Sequence, residues 1–235
     1  MLLLFDIDGT LLTTKRSGVK ALEDAGRELF GGAFTIEGVD FAGRLDPLII
    51  GELLRRNGVD ESRANADAMR AGDGRHLPRL LAPAGVATAC PGVHEVLGLL
   101  RRVRGITLGL LTGNFAETGT IKLRAVGIDP DWFAVRVWGD ESPVEPPARE
   151  HLPPVGMRRY HELNGNAVAP ERVVVIGDTP HDVSCAQAHG CRSLGVGTGV
   201  FTSEQLTGCG ATRAVPSMAD AAGVVDWLTS GADER

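Results

Sequence analysis

The stretch that decides the fold of this chain is LLLFDIDGTLL, residues Leu2–Leu12. Its apolar run predicts a buried strand over Leu2–Ile7, and two carboxylates, Asp6 and Asp8, stand one residue apart at the end of that strand. Folded proteins avoid burying unpaired charge. We therefore expect something cationic to meet these two aspartates at the strand end.

Four further apolar runs predict buried parallel strands. They are Ile106–Leu111, Phe133–Val137, Val173–Ile176 and Ser193–Val196. Helical patterns lie between most of these runs and after the last one: Val93–Val103, Thr118–Val126, Leu152–Asn164, Asp182–His189, Ser203–Leu206 and Ala219–Leu228. Alternation of strands and helices predicts an α/β fold, a doubly wound and mainly parallel Rossmann-like sheet.

One long segment interrupts this alternation directly after the first strand. Between about Thr14 and Ala87 the sequence has no strand pattern and instead predicts the helices Val19–Phe30, Asp46–Arg56 and Ser62–Leu81. The segment is long for a simple connection. We therefore expect an inserted helical domain at residues 15–87 and a core domain formed by residues 1–14 and 88–235.

Composition excludes several classes of protein. The 235 residues carry a net charge of −6, which is unlike the basic surface of a nucleic-acid-binding protein. No apolar stretch approaches the length of a membrane span, and the start of the chain lacks the features of a signal peptide. The four cysteines include no CxxC pair, so we expect reduced thiols and a cytoplasmic protein.

The segments that follow the predicted strands carry polar residues. Thr112-Gly113-Asn114 follows the second strand, and Asp178 and Asp182 follow the fourth. Ligands of open α/β sheets bind at the carboxyl ends of the strands, so we expect Asp178 and Asp182 to join the two aspartates of the first strand. Four clustered carboxylates repel one another unless a cation lies between them. Hard oxygen ligands of this kind favour Mg²⁺.

The motifs DIDGT at 6–10, LLTGN at 110–114 and GDTPHD at 177–182 follow successive strands in this order. In this they resemble the haloacid dehalogenase superfamily, and the inserted helices resemble that family's cap of the first type. The resemblance implies a Mg²⁺-dependent phosphatase similar to phosphoglycolate phosphatases. Its expected substrate is a small phosphorylated metabolite, phosphoglycolate-like or sugar-phosphate-like, hydrolysed through an aspartyl-phosphate.

The family implies a role for each matching residue. Asp6 would be the nucleophile and a metal ligand, and Asp8 would be the general acid and base while its backbone carbonyl binds the metal. Thr112 would hydrogen-bond the phosphoryl group, Asp178 would bind Mg²⁺, and Asp182 would hold the geometry of the site. Aspartates in such places can also serve as ordinary helix-capping residues. Neighbouring motif positions would contact the substrate: Gly9, Thr10, Gly113 and Asn114.

The sequence departs from the family pattern at one position. A lysine is expected at the start of the helix before the fourth strand, but the only lysines are Lys15, Lys20 and Lys122. Arg149 stands at the corresponding place and is expected to neutralise the phosphate and the nucleophile. The alternative is an exposed loop arginine, in which case Arg158 becomes the next candidate.

In the helical insert, we single out Arg44, which follows Gly43 and precedes the predicted helix. It either reaches the distal group of the substrate or pairs with a carboxylate of the insert. We expect no nucleic-acid or membrane partner, and a monomer or homodimer.

The motifs leave three other functions open. A phosphomutase of the β-phosphoglucomutase kind would retain all of them, and a 2-haloacid dehalogenase would share Asp6 but would not need Asp8. A non-enzymatic binding protein would be expected to lose Asp6.

Overall fold

The computed structural model describes residues 1–230 of the chain, and its centre is a parallel sheet of six strands. The strands are β1 Leu2–Phe5, β4 Thr107–Leu111, β5 Val135–Val137, β6 Val173–Gly177, β7 Arg192–Val196 and β8 Arg213–Val215. Their order in the sheet is β5-β4-β1-β6-β7-β8. Strand β1 lies between β4 and β6, where Leu2 is paired with Thr107 on one side and Val173 on the other. The first strand of the chain is therefore in the middle of the sheet.

Helices cover both faces of this sheet, as the continuous apolar strands predict. They are α4 Val93–Leu100, α5 Ala116–Ala125, α6 Leu152–Asn164, α7 Pro180–Gln187, α8 Ser203–Gly208 and α9 Ala221–Thr229. Alternate residues of β1 point to opposite faces. Leu3 and Phe5 belong to the apolar cluster that includes residues of α4, α5 and α9. Leu2 and Leu4 belong to the cluster that includes residues of α6 and α7.

The helical segment, α1 Ser17–Phe30, α2 Asp46–Arg56 and α3 Arg63–Leu81, is inserted between β1 and α4. It has an apolar cluster of its own, built around Leu22, Ile50, Leu53 and Met69. Two very short strands, β2 Leu12–Thr13 and β3 Thr88–Ala89, pair antiparallel at its two ends. This pair brings the entering and the leaving chain together beside the sheet.

The structure confirms the α/β class and the five predicted strands, with small shifts in their ends. It adds β8, whose three residues are only half-buried and do not form an apolar run, and the two-residue strands β2 and β3. The division into two domains stays a prediction, and the last five residues of the predicted core domain, 231–235, lie outside the described residues. Across residues 1–230, every helix is too short or too polar to cross a bilayer.

Candidate active site

The three motifs meet at the carboxyl ends of β1, β4 and β6, which are neighbours in the sheet. A cavity of about 680 Å³ lies there, between the sheet and the helical segment. Core residues that line it include Asp6, Asp8, Thr112, Asn114 and Asp178. Residues of the helical segment close its other side: Val19, Leu22, Phe41, Arg44, Ile49 and Asp73.

Three buried carboxylates form the floor of this site. Oxygen atoms of Asp6, Asp178 and Asp182 all lie within 4.8 Å of one another. Burial raises the pKa of Asp6 to about 6, although Arg149 acts in the opposite direction. Burial, reinforced by the negative charges of Asp182 and Asp6, raises the pKa of Asp178 to about 8. The cluster therefore carries more negative charge than its surroundings compensate.

Arg149 brings one positive charge into this cluster and is itself buried. Its Nη2 lies 2.5 Å from Asp182 Oδ1 and 3.2 Å from Asp6 Oδ1. Burial would lower its pKa, but the two carboxylates raise it, so the guanidinium stays charged. The alternative of an exposed loop arginine is wrong. Arg158, by contrast, is exposed on α6 and lies 3.7 Å from Glu162.

The donor set at this place fits a magnesium ion. Mg²⁺ prefers carboxylate oxygens and keeps several waters, and one guanidinium cannot balance three carboxylates. Asp182 is already engaged, because its Oδ2 accepts the N–H and the hydroxyl of Thr179 at 3.0 and 2.7 Å. The carboxylates of Asp6 and Asp178 are therefore the ones best placed to hold the ion.

Asp8 has different partners from that triad. Its Oδ2 accepts hydrogen bonds from Lys122 Nζ at 2.6 Å and from Asn114 Nδ2 at 2.9 Å. Asn114 Nδ2 also donates to Thr112 Oγ1 at 2.8 Å, and Lys122 Nζ donates to Asn114 Oδ1 at 2.6 Å. The amide of Asn114 is thus engaged by protein groups, while the residue lines the cavity, and its contact with substrate stays a prediction. Thr112 Oγ1 accepts from the side-chain amide of Asn114 and from its backbone N–H, and so keeps its own hydrogen to donate.

Gly9, which lines the cavity, and Thr10 both lie against Asp178. Thr10 is fully buried and its hydroxyl donates to Asp178 Oδ1 at 3.3 Å. Gly9 has a φ of +73°, and a Cβ at this position would lie 2.2 Å from Asp178 Oδ2. The sequence needs glycine here both for the backbone conformation and for the close approach of the carboxylate.

A loop of the helical segment, residues 43–46, docks on the core motifs. Asp46 donates its backbone N–H to Gly113 O at 2.8 Å, and its Oδ2 accepts the N–H of Phe115 at 3.1 Å. Arg149 Nη1 donates to Gly43 O at 3.2 Å. A Cβ on Gly113 would lie 2.0 Å from the carbonyl oxygen of Arg44, so Gly113 serves this backbone contact.

Arg44 pairs with a carboxylate of the helical segment, which was one of its two expected roles. Its Nη1 lies 2.7 Å from Glu52 Oε2 and also donates to the carbonyl of Asp40 at 2.9 Å. Arg44 is also one of the residues that line the cavity.

Sequence reasoning missed five charged residues that line the cavity: Arg16, Asp40, Asp46, Asp73 and Lys122. Burial raises the pKa of Asp46 to about 6 and that of Asp73 to about 7. Oδ1 of Asp73 is buried and has no hydrogen-bond partner within residues 1–230. For Lys122 the sequence carried a signal, because helical spacing places it on the same face of α5 as Thr118, Gly119 and Leu123. The structure shows that all four residues are buried.

Comparison with known proteins agrees with this architecture. The family model of haloacid dehalogenase-like hydrolases matches residues 3–187, so the chain belongs to that family. A phosphoglycolate phosphatase of Vibrio vulnificus is 27% identical over 217 residues, which is 88% of this chain and 87% of that protein. Relatives of this kind support a phosphatase.

A phosphoglycolate phosphatase of Chromobacterium violaceum is 29% identical over 133 residues, 57% of this chain and only 54% of that protein. Among solved structures, CbbY from Rhodobacter sphaeroides in complex with phosphate superposes with a TM-score of 0.71. It is 21% identical, and the match covers 93% of this chain and 95% of that one, which shows a shared fold.

Proposed function

We propose that this chain is a Mg²⁺-dependent phosphatase that hydrolyses a small phosphorylated metabolite, phosphoglycolate-like or sugar-phosphate-like, through an aspartyl-phosphate on Asp6. The observation that carries the proposal is the buried Asp6 carboxylate at the end of β1. It lies 3.2 Å from the Arg149 guanidinium and beside Asp178, at the floor of the cavity. A nucleophile next to fixed positive charge suits attack on a phosphate dianion.

In this proposal each residue has a part. Asp6 attacks phosphorus, Arg149 and the Thr112 hydroxyl bind the phosphoryl oxygens, and Asp8 gives a proton to the leaving alcohol and later takes one from water. Asp6, Asp178 and the carbonyl of Asp8 would hold Mg²⁺, which when bound neutralises charge on the phosphoryl group.

The helical segment would act as the cap of this enzyme. Its loop 43–46 touches the core motifs, and its apolar residues cover the cavity. A closed cap excludes water and admits small substrates rather than phosphoproteins. We also infer a cytoplasmic monomer or homodimer. The free thiols of Cys90, Cys185, Cys191 and Cys209 support the reducing compartment.

The test is phosphate release from a panel of small phosphorylated metabolites, with Mg²⁺ and with EDTA. We expect activity that needs Mg²⁺ and is lost in Asp6→Asn while the circular dichroism spectrum is retained. Asp67→Asn is the matched control, since Asp67 is 66% exposed and paired with Arg63 on the surface of α3. Near wild-type kcat in Asp6→Asn would refute the covalent mechanism.

The same panel separates the other functions that the motifs allow. A phosphomutase would return an isomerised sugar phosphate in place of inorganic phosphate. A dehalogenase would release halide from 2-haloacids without Mg²⁺. A protein that binds one of these compounds and turns over none of them would be a binding protein on this fold.

A further inference from the structure

Lys122 lies outside the three motifs, yet its amine is at the centre of the site. The side chain extends from α5 and is only 9% exposed. Its Nζ is 2.6 Å from Asp8 Oδ2 and 2.6 Å from Asn114 Oδ1. A buried lysine in two short contacts has a specific partner rather than a solvated role.

The charge of this lysine is secured by carboxylates from both parts of the molecule. Burial alone would lower its pKa, but Asp8, Asp46 and Asp73 raise it. Asp46 opens α2 and Asp73 lies on α3, so two of the three carboxylates belong to the helical segment. Lys122 therefore stays protonated where the helical segment meets the core.

The two oxygens of Asp8 have different surroundings. Lys122 and Asn114 both donate to Oδ2. Within residues 1–230 Oδ1 accepts no hydrogen bond, and the side chain is 43% exposed and lies at the cavity. The carboxylate is thus held by one oxygen and presents the other to whatever occupies the cavity.

We propose that Lys122 is a positioning residue for proton transfer, holding Asp8 by Oδ2 so that Oδ1 meets the oxygen of the leaving alcohol. This inference rests on the proposed phosphatase activity. The proton on Oδ1 passes to the ester oxygen as its bond to phosphorus breaks and the bond from Asp6 to phosphorus forms. The contact from Lys122 Nζ to Oδ2 keeps the Asp8 carboxyl group in place during this transfer. Asp8 regains a proton from the water that then displaces Asp6 from phosphorus.

This role predicts a dependence on the leaving group. An aliphatic alkoxide needs a proton as it departs, whereas p-nitrophenolate departs without one. Misplacing a catalytic group by about 1 Å can cost about 10²-fold. Lys122→Met should therefore lower kcat for the best aliphatic ester of the panel by about 10²-fold. The loss on p-nitrophenyl phosphate should stay below about tenfold, with KM for both esters little changed.

Two further variants and one control complete the experiment. Lys122→Arg keeps the charge and should recover part of the aliphatic rate. Lys122→Gln keeps a hydrogen-bond donor without the charge and supplies a second test of selectivity if the methionine variant does not fold. Lys20→Met is the control, because Lys20 is an exposed lysine paired with Glu23 and Asp24 on α1. It should match the wild type on both esters.

Equal losses on the two esters in the foldable Lys122 variants, or no loss on either, would overturn the inference while leaving the phosphatase proposal intact. Failure of the wild type to release phosphate from either ester would instead refute the proposed function, and this inference with it. The wild-type rates and the ratio of variant losses are separate readouts, so the two failures can be told apart.

Discussion

Replacing Arg149 by alanine removes the only cation that contacts the buried triad among the described residues. The guanidinium Nη2 contacts Asp182 at 2.5 Å and Asp6 at 3.2 Å, and donates to Leu111 O at 3.4 Å. Nη1 donates to Gly43 O in the helical segment at 3.2 Å. One substitution therefore removes two ion pairs and a contact between the core and the helical segment.

The magnitudes follow from burial. Deleting one partner of a buried ion pair costs about 3–5 kcal/mol, because the other charge is left uncompensated. We expect Arg149→Ala to lower the free energy of unfolding within this range near neutral pH. Loss of a charge-assisted contact to the transferring phosphoryl group should reduce kcat/KM by at least about 10²-fold, or about 2.7 kcal/mol.

The assays are urea unfolding and steady-state phosphate release. Arg149→Lys distinguishes charge from shape: one ammonium cannot span the positions now filled by Nη1 and Nη2, so we expect it to recover little activity. Arg158→Ala is the control, because Arg158 is 60% exposed on α6. A value of kcat/KM in Arg149→Ala within about threefold of the wild type would refute the reasoning.

Three further outcomes are expected. First, Mg²⁺ should raise Tm more at pH 8 than at pH 5, because the pKa of the proposed ligand Asp178 is raised to about 8 and its carboxyl group is protonated in acid. Asp178→Asn should abolish the Mg²⁺-induced rise in Tm. A rise in Tm that does not depend on pH would contradict the assignment of Asp178 as a ligand. Second, the pKa of Asp73 is raised to about 7, so between about pH 4 and 7 the folded state binds a proton that the unfolded state does not, and the free energy of unfolding falls as pH rises. Urea unfolding of Asp73→Asn should show a weaker fall over this range. The same dependence on pH in the variant and the wild type would argue against this role of Asp73. Third, Arg44→Ala should lower kcat/KM by the same factor on the best metabolite of the panel and on p-nitrophenyl phosphate, because Arg44 pairs with Glu52 within the helical segment. A loss confined to the metabolite would show that Arg44 binds the distal group of the substrate.

The sheet could be predicted from sequence because its strands are buried on both faces and read as continuous apolar runs. The position of Arg149 could also be predicted, since motif order and the start of a helix place it near the strand ends. Strand β8 was not predicted, because its three half-buried residues do not form the apolar run that marks a strand buried on both faces.

The missed residues are those whose roles depend on tertiary packing. Lys122 sits in a helical stretch, where a lysine usually faces solvent, and only the buried stripe on α5 distinguishes it. Asp46 and Asp73 become part of the site only because the helical segment docks over the sheet, and a local pattern carries no information about that docking. The hydrogen bonds of the Asn114 amide could not be read from the sequence for the same reason, since its partners include residues 8 and 122.

The central place of β1 also bears on how the chain folds. Its partners are β4 and β6, so Leu2 must find Thr107 and Val173, far along the chain. Contacts of such long range slow folding, whereas the helices between them form from near neighbours. During synthesis β1 keeps an unpaired edge until β6, which begins at Val173, has emerged. The buried carboxylates are thus brought together late in folding. A chain truncated before β6 would lack the central strand pairing as well as Asp178 and Asp182.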